Sequence, residues 1–237
     1  MSASRRSVLK GIALGSVGMA LGSMGGRVMG RPAGTLAGAA AVPAGEAAVW
    51  PLLALIDAVA AGSVFLDGAM AAHGARLQAR KVARDPAFML DLERRLRSGQ
   101  PLRVIGLLED ASAVLVVDMA RSAGARLQWL GQHTAEIGFT RHQLLTTDIA
   151  DGCSRQLARQ LHACGAGFSL REERHDGSML SRDLAGPARR GKQSAQWAAS
   201  LGYLLASLGA RPATAAPRVP ATSVPSTGSF VSFSIES

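Results

Sequence analysis

Carboxylates and imidazoles recur where the chain leaves its short apolar runs. Glu109 and Asp110 follow Leu102–Leu108, His133 follows Arg126–Leu130, and Glu172, Glu173 and His175 close the run that begins at Gly167. A carboxylate beside an imidazole can transfer a proton or hold a metal ion. In open α/β sheets ligands bind beyond the carboxyl ends of the strands, so these residues share a site only if their strands point the same way. The five histidines, His73, His133, His142, His162 and His175, show no ligand spacing on any one element. Each therefore reads first as a surface or internally bonded side chain, and no metal site is expected.

Other candidate chemistry fails on spacing. Gly186-Pro187-Ala188-Arg189-Arg190-Gly191-Lys192-Gln193 fits the GxxxxGK phosphate-loop pattern, but Gln193 stands where Ser or Thr should hold magnesium. The mixed stretch Ser178–Asp183 before it does not read as the apolar strand such a loop needs. Gly165-Ala166-Gly167 follows a helical stretch, whereas a dinucleotide fingerprint opens one. Neither a Gly-x-Ser-x-Gly elbow nor a His-Glu-x-x-His pair occurs. Cys153 and Cys164 are the only cysteines. On one helix they would lie roughly 16 Å apart along the axis. A disulfide needs Cα atoms about 4.4–6.8 Å apart, so the two read as small buried groups.

The elements that would position these residues alternate between helix and strand. Val49–Ala61 reads as an apolar helix, with Pro51 in its first turn, and Gly62–His73 as a second helix stopped by Gly74. Pro86 opens an amphipathic helix closed by Gly99. Leu102–Leu108 is of strand type, Asp110 suits a helix N-cap, and Gly124 ends that helix before the alternating run Arg126–Leu130. The arrangement returns 41 residues later: Asp151 starts a helix, Gly165 ends it, and Gly167–Arg171 follows. Gly74-Ala75-Arg76-Leu77-Gln78 repeats Gly124-Ala125-Arg126-Leu127-Gln128. Ala113–Val117 alone would pass for a buried strand, but its polar counterpart Ser154–Ala158 makes it helical. Three helix–Gly–Ala–strand passages predict an α/β fold, a single layered domain over residues 42–210. Gly191–Leu208 holds one more helix.

After Gly209 the composition changes. Pro212, Pro217, Pro220 and Pro225 mark residues 211–228 as an extended linker. The end of the chain, 229–237, alternates: Val231, Phe233 and Ile235 on one face, Ser232, Ser234 and Glu236 on the other. That pattern predicts a half-buried strand added to a sheet edge, of this chain or of a partner.

The start of the chain carries an address. Arg5 and Arg6 precede Val8, Leu9 and Lys10, and Gly11–Gly26 is uncharged and rich in glycine. Arg27 and Arg31 stand before the small-residue tract Ala37–Ala41. Residues 1–41 resemble a twin-arginine signal peptide of the bacterial (Tat) export pathway. The resemblance implies recognition of the Arg5–Arg6 pair by the Tat export machinery, cleavage near Ala41 and a periplasmic location in a Gram-negative bacterium. It also implies a cargo folded before export, hence without disulfides. Membrane attachment is expected only if the signal is left uncleaved. Removing 1–41 from the 237 residues leaves 196, with 21 basic and 17 acidic residues, a charge of +4 against +9 for the whole chain. That modest balance gives no case for nucleic acid. Arginine abundance says little more, since 23 Arg against three Lys and no Asn reflect a biased composition.

With no complete catalytic signature, and a terminal strand suited to docking, the expectation is an exported accessory protein or non-catalytic subunit of a redox complex. The alternative is a small periplasmic enzyme or ligand-binding protein using Glu109, Asp110, His133, Glu172 and His175. No residue pattern names a cofactor.

Overall fold

Leu52–Ile56 is a strand, β1, and not part of the helix expected over Val49–Ala61. Its five side chains are all buried. A strand covered on both faces is apolar throughout rather than alternating, and so imitates a helix in sequence. The computed structural model describes residues 50–57, 60–83, 85–165, 167–174, 182–187, 195–209 and 227–237. Arg5, Arg6, the signal segment, His175, nearly all of the linker and most of the GxxxxGK segment lie outside them.

After β1 come α1 (Ala60–His73), β2 (Leu77–Lys81), α2 (Pro86–Leu96), β3 (Arg103–Glu109) and α3 (Asp110–Ser122). β4 (Arg126–Glu136), β5 (Phe139–Thr146), α4 (Cys153–Cys164), β6 (Gly167–Arg174), β7 (Arg182–Gly186), α5 (Gln196–Ala206) and β8 (Gly228–Glu236) complete the chain. The three Gly–Ala helix stops are as expected: Gly74, Gly124 and Gly165 have φ of 64°, 78° and 73°. That left-handed backbone suits glycine and ends each helix before β2, β4 or β6. α2 is capped by the Asp85 carboxylate, which accepts from the Phe88 N–H at 2.8 Å. Asp110 does not cap α3; Glu109 holds that position, without a side-chain cap bond, and Asp110 lies in the first turn.

The described strands form one mixed sheet in the order β2-β1-β3-β8-β4-β5-β6-β7. β2, β1 and β3 are parallel, and β8 runs antiparallel to both β3 and β4. β4 and β5 form a hairpin around Ile137–Gly138, β6 is parallel to β5, and β7 turns back along it. The single layered α/β domain is therefore present. Its terminal strand, however, does not sit at an edge.

β8 lies in the middle of the sheet, and both of its faces are covered. Phe230 joins the cluster on one face, with Phe65, Trp129, Leu157, Trp197 and Leu201. Phe233 and Ile235 join the cluster on the other, with Phe88, Leu92, Val116 and Leu130. Ser232, Ser234 and Glu236, expected to face water, are buried as well. α1, α4 and α5 supply the first face; α2 and α3 supply the second. Among the described residues no helix is long and apolar enough to cross a membrane.

Candidate functional site

The directions of the strands decide the fate of the expected acidic and histidine set. β3 and β4 point one way, each being antiparallel to β8, and β6 points the other, being parallel to β5. β6 also lies four strands from β3, so Glu109 and Asp110 stand well apart from Glu172 and Glu173, although along the strands Glu172 is only two residues beyond the level of Glu109 and His133. The Glu109 N–H donates to the Asp57 carboxylate, and Asp110 Oδ1 is buried with no hydrogen-bond partner among the described residues. Glu173 is exposed and pairs with Arg171 at 3.3 Å. Glu172 is 5% exposed and is fully engaged. Its Oε1 accepts from Thr146 at 3.0 Å, and its Oε2 accepts from Ser154 at 2.5 Å and Arg182 at 3.2 Å. It ties β5, α4 and β7 together.

His133 is not in a loop after its strand but inside it, because β4 continues to Glu136. Side chains alternate along a strand, so Trp129, Gly131, His133 and Ala135 share one face, and Thr140 and His142 of β5 stand on the same side. The hairpin pairs His133 directly with His142, and their Nδ1 atoms lie 2.8 Å apart. His133 Nε2 is 2.7 Å from Ser232 Oγ on β8, and His142 Nε2 is 2.9 Å from Thr140 Oγ1. Trp129 Nε1 donates to Ser232 Oγ at 2.8 Å. The Trp197 ring of α5 covers both imidazoles, at 5.5 and 5.9 Å.

Indole N–H can only donate, and we assign the remaining roles so that the Ser232 proton, too, has an acceptor. Ser232 accepts from Trp129 and gives its own proton to His133 Nε2. His133 then carries its proton on Nδ1 and donates to His142 Nδ1, and His142 donates from Nε2 to Thr140. Every imidazole nitrogen is satisfied with both rings neutral. Burial, with the neighbouring His142 second, holds His133 well below the ordinary histidine value, and burial brings His142 down to about 3. Hydroxyl, imidazole, imidazole is also the order of a nucleophile, its base and an orienting group. Ser232 and His133 are nevertheless 0% exposed, so no substrate atom reaches them in this arrangement. The chain fastens three strands.

The room for this junction comes from Gly131. A Cβ there would lie 2.6 Å from Ser232 Oγ and 2.7 Å from His133 Nε2. At the other end of β8, Glu236 accepts from Arg103 at 2.6 and 3.0 Å and from Gln128 at 2.8 Å. The bulge between Leu127 and Trp129 lets Gln128 reach it. Sequence reasoning missed His142, Ser232 and Gly131 as partners of His133. The usable signal was Gly138: a two-residue turn there mirrors β4 onto β5 and places the two histidines opposite each other.

Cys153 and Cys164 do share one helix, at its two ends. The Cys153 thiol is free and is pushed up to about 11, mainly by burial, then by Glu172 and Asp151. A thiol held protonated is a poor nucleophile. Beside it a cleft of about 450 Å³ is lined by Arg155, Arg159, Ile149, Leu204 and Ser207 among others. β7 ends at Gly186, so the strand before the GxxxxGK segment is the mixed, partly exposed Arg182–Gly186 and not the apolar strand a phosphate loop needs. Among the described residues no three His, Cys, Asp or Glu side chains stand together as a metal site requires. No family model, curated protein or solved structure matches the chain.

Proposed function

We propose that the chain is an exported accessory protein, a non-catalytic subunit that reaches the periplasm folded and works there against a protein partner. The observation that carries this reading is the outer face of α3. Ala113, Val116, Val117 and Ala120 of that helix are buried against the sheet, while Val114 and Leu115 are 43% and 49% exposed. The exposed side of α3 also carries Asp118 and Ser122, so its apolar part is Val114 and Leu115. Adjacent exposed Val and Leu, with Asp118 and Ser122 on the same side of the helix, support a small docking face with an apolar centre and a polar edge. Resemblance of residues 1–41 to a twin-arginine signal supports a partner as well, because such cargo can travel as a folded complex. The terminal strand no longer contributes to the argument, since it is used within the chain. The enzyme reading loses its proposed site, since Glu109 and Asp110 lie four strands across the sheet from Glu172, with His133 sealed between them.

The test separates address from docking. Arg5→Lys with Arg6→Lys should leave the precursor in the cytoplasm, because lysine lacks the planar donor fork of the guanidinium pair. Val114→Glu with Leu115→Glu should leave export and the thermal midpoint unchanged, yet shift the exported protein from a complex to a monomer on a sizing column. A wild-type protein that is already monomeric in a periplasmic extract would overturn the subunit reading.

A further inference from the structure

The two halves of β8 are held by different chemistry. Phe233–Glu236 is held by the Glu236 pairing with Arg103 and Gln128 and by Phe233 and Ile235 in the second-face core. Gly228–Ser232 is held by Phe230 against Trp197, at 5.7 Å, and by Ser232 in the histidine chain. That chain tolerates one extra proton in its hydrogen bonds but not two. A second would place N–H donors on both Nδ1 atoms, 2.8 Å apart.

Among the described residues, a positive charge there would also lack a bonded partner. α5 brings Trp197 and has no charged residue along Gln196–Ala206. On β4 and β5, Glu136 and Arg141 alternate to the second face and pair with each other at 3.9 Å. On β6 the same-face Glu172 is taken by Thr146, Ser154 and Arg182, and on β8 Glu236 is taken by Arg103 and Gln128. Beyond α5, Asp67 of α1 and Arg155 and Arg159 of α4 are exposed, as is Glu109 of β3, which stands on the same face in the row of Phe230 and His133. A buried charge without a counter-charge is strongly disfavoured, so proton uptake favours whatever opening lets the rings reach water.

We propose that the Ser232–His133–His142–Thr140 chain is an acid-sensitive fastening for one end of the C-terminal strand: proton uptake by the pair opens Gly228–Ser232, while Phe233–Glu236 stays paired. Opening leaves Leu107–Glu109 of β3 and Gly131–Ala135 of β4, which pair with that segment, with free backbone edges. An unpaired edge is a template for an added strand, so the device makes strand addition conditional on pH.

The sign follows from neutral rings in the closed state and ordinary ones, near 6.5, in the open state. Stability of the closed end is complete above pH 6.5 and falls as pH drops below it. With two protons taken up per opening, protection of the 229–232 amides should fall about a hundredfold between pH 7.5 and 5.5. Hydrogen exchange on the full chain, corrected for intrinsic rates, reads this directly. The 234–236 and β1 amides should change less than tenfold. Ring C2 proton shifts of wild-type protein should show both histidines neutral for as long as residues 229–232 remain protected. His142→Gln, where it folds, should reduce the loss to about tenfold. Equal loss along all of β8 and β1, unchanged protection at 229–232, or rings that titrate near 6.5 with the strand end still closed would each overturn the proposal.

Discussion

At the scale of single residues, Gly131 decides more than any polar group near it. Trp129, His133 and Ser232 meet over a position that has no side chain, and alanine there would bring a methyl within 2.6–2.7 Å of two hydrogen-bonded atoms. Something must move, and either movement breaks the 2.7 Å bond between His133 and Ser232. Overpacking costs roughly 1–3 kcal/mol and an unsatisfied buried group about as much again. For Gly131→Ala we expect a fall in Tm of roughly 4–24 °C, since each kcal/mol is worth about 2–4 °C in a domain of this size. A Tm unchanged within a degree would mean that ring and hydroxyl do not meet over this glycine. None of this was legible from residue types alone. His133 was visible as a histidine near a strand end, but its meaning depends on β5, whose alternation begins only after the turn at Gly138. Glu172 was misjudged for a related reason: a carboxylate at a strand end looks functional until Thr146, Ser154 and Arg182 from other elements are seen to consume it.

At the scale of elements, the glycine stops were legible and the close helix contact was not. A positive-φ glycine after a helix is a local signal, and Gly74, Gly124 and Gly165 gave three helix ends correctly. Gly68 of α1 and Gly202 of α5 carry no such mark, because their backbones are ordinary helix. Their role is to let two helices touch. A Cβ at Gly202 would lie 1.9 Å from the Phe65 carbonyl oxygen, and one at Gly68 equally close to that of Ala199. The obstacle is backbone, so the helices would have to separate. In an exposed helix Gly→Ala stabilises by about 1 kcal/mol. Here the sign reverses: Gly202→Ala should lower the unfolding free energy by several kcal/mol, as read from the urea midpoint, and Gly202→Val should prevent folding. A stabilised Gly202→Ala protein would show that α1 and α5 do not pack as described. β1 illustrates the opposite difficulty. Five apolar residues in a row carry no period, and only the strands beside Leu52–Ile56 settle what they are.

At the scale of the whole molecule, the last nine-residue element is the one that joins the halves. The parallel group β2-β1-β3 and the hairpin β4–β5 have no direct strand contact, because β8 stands between β3 and β4. Sequence alternation in 229–237 correctly marked a strand, yet serines and a glutamate on one face signalled water where the structure has a polar junction inside the core. An edge strand could be lost at modest cost; a central one cannot. Truncation after Gly209 removes Phe230, Phe233 and Ile235, each 4% exposed or less, and each worth about 1.5–3 kcal/mol of burial. It also leaves Arg103, Gln128, Trp129 Nε1 and His133 without the partners that Glu236 and Ser232 supply, at about 1–3 kcal/mol for each buried group. The neighbouring rows of β3 and β4 lose their backbone bonds as well. These losses together exceed the roughly 5–15 kcal/mol by which domains are stable. The truncated chain should therefore show no cooperative thermal transition and no near-ultraviolet circular dichroism, and a synthetic peptide of residues 227–237 added in excess should restore part of both. A truncated protein that melts cooperatively without the peptide would place β8 outside the core and remove the basis for the histidine fastening with it.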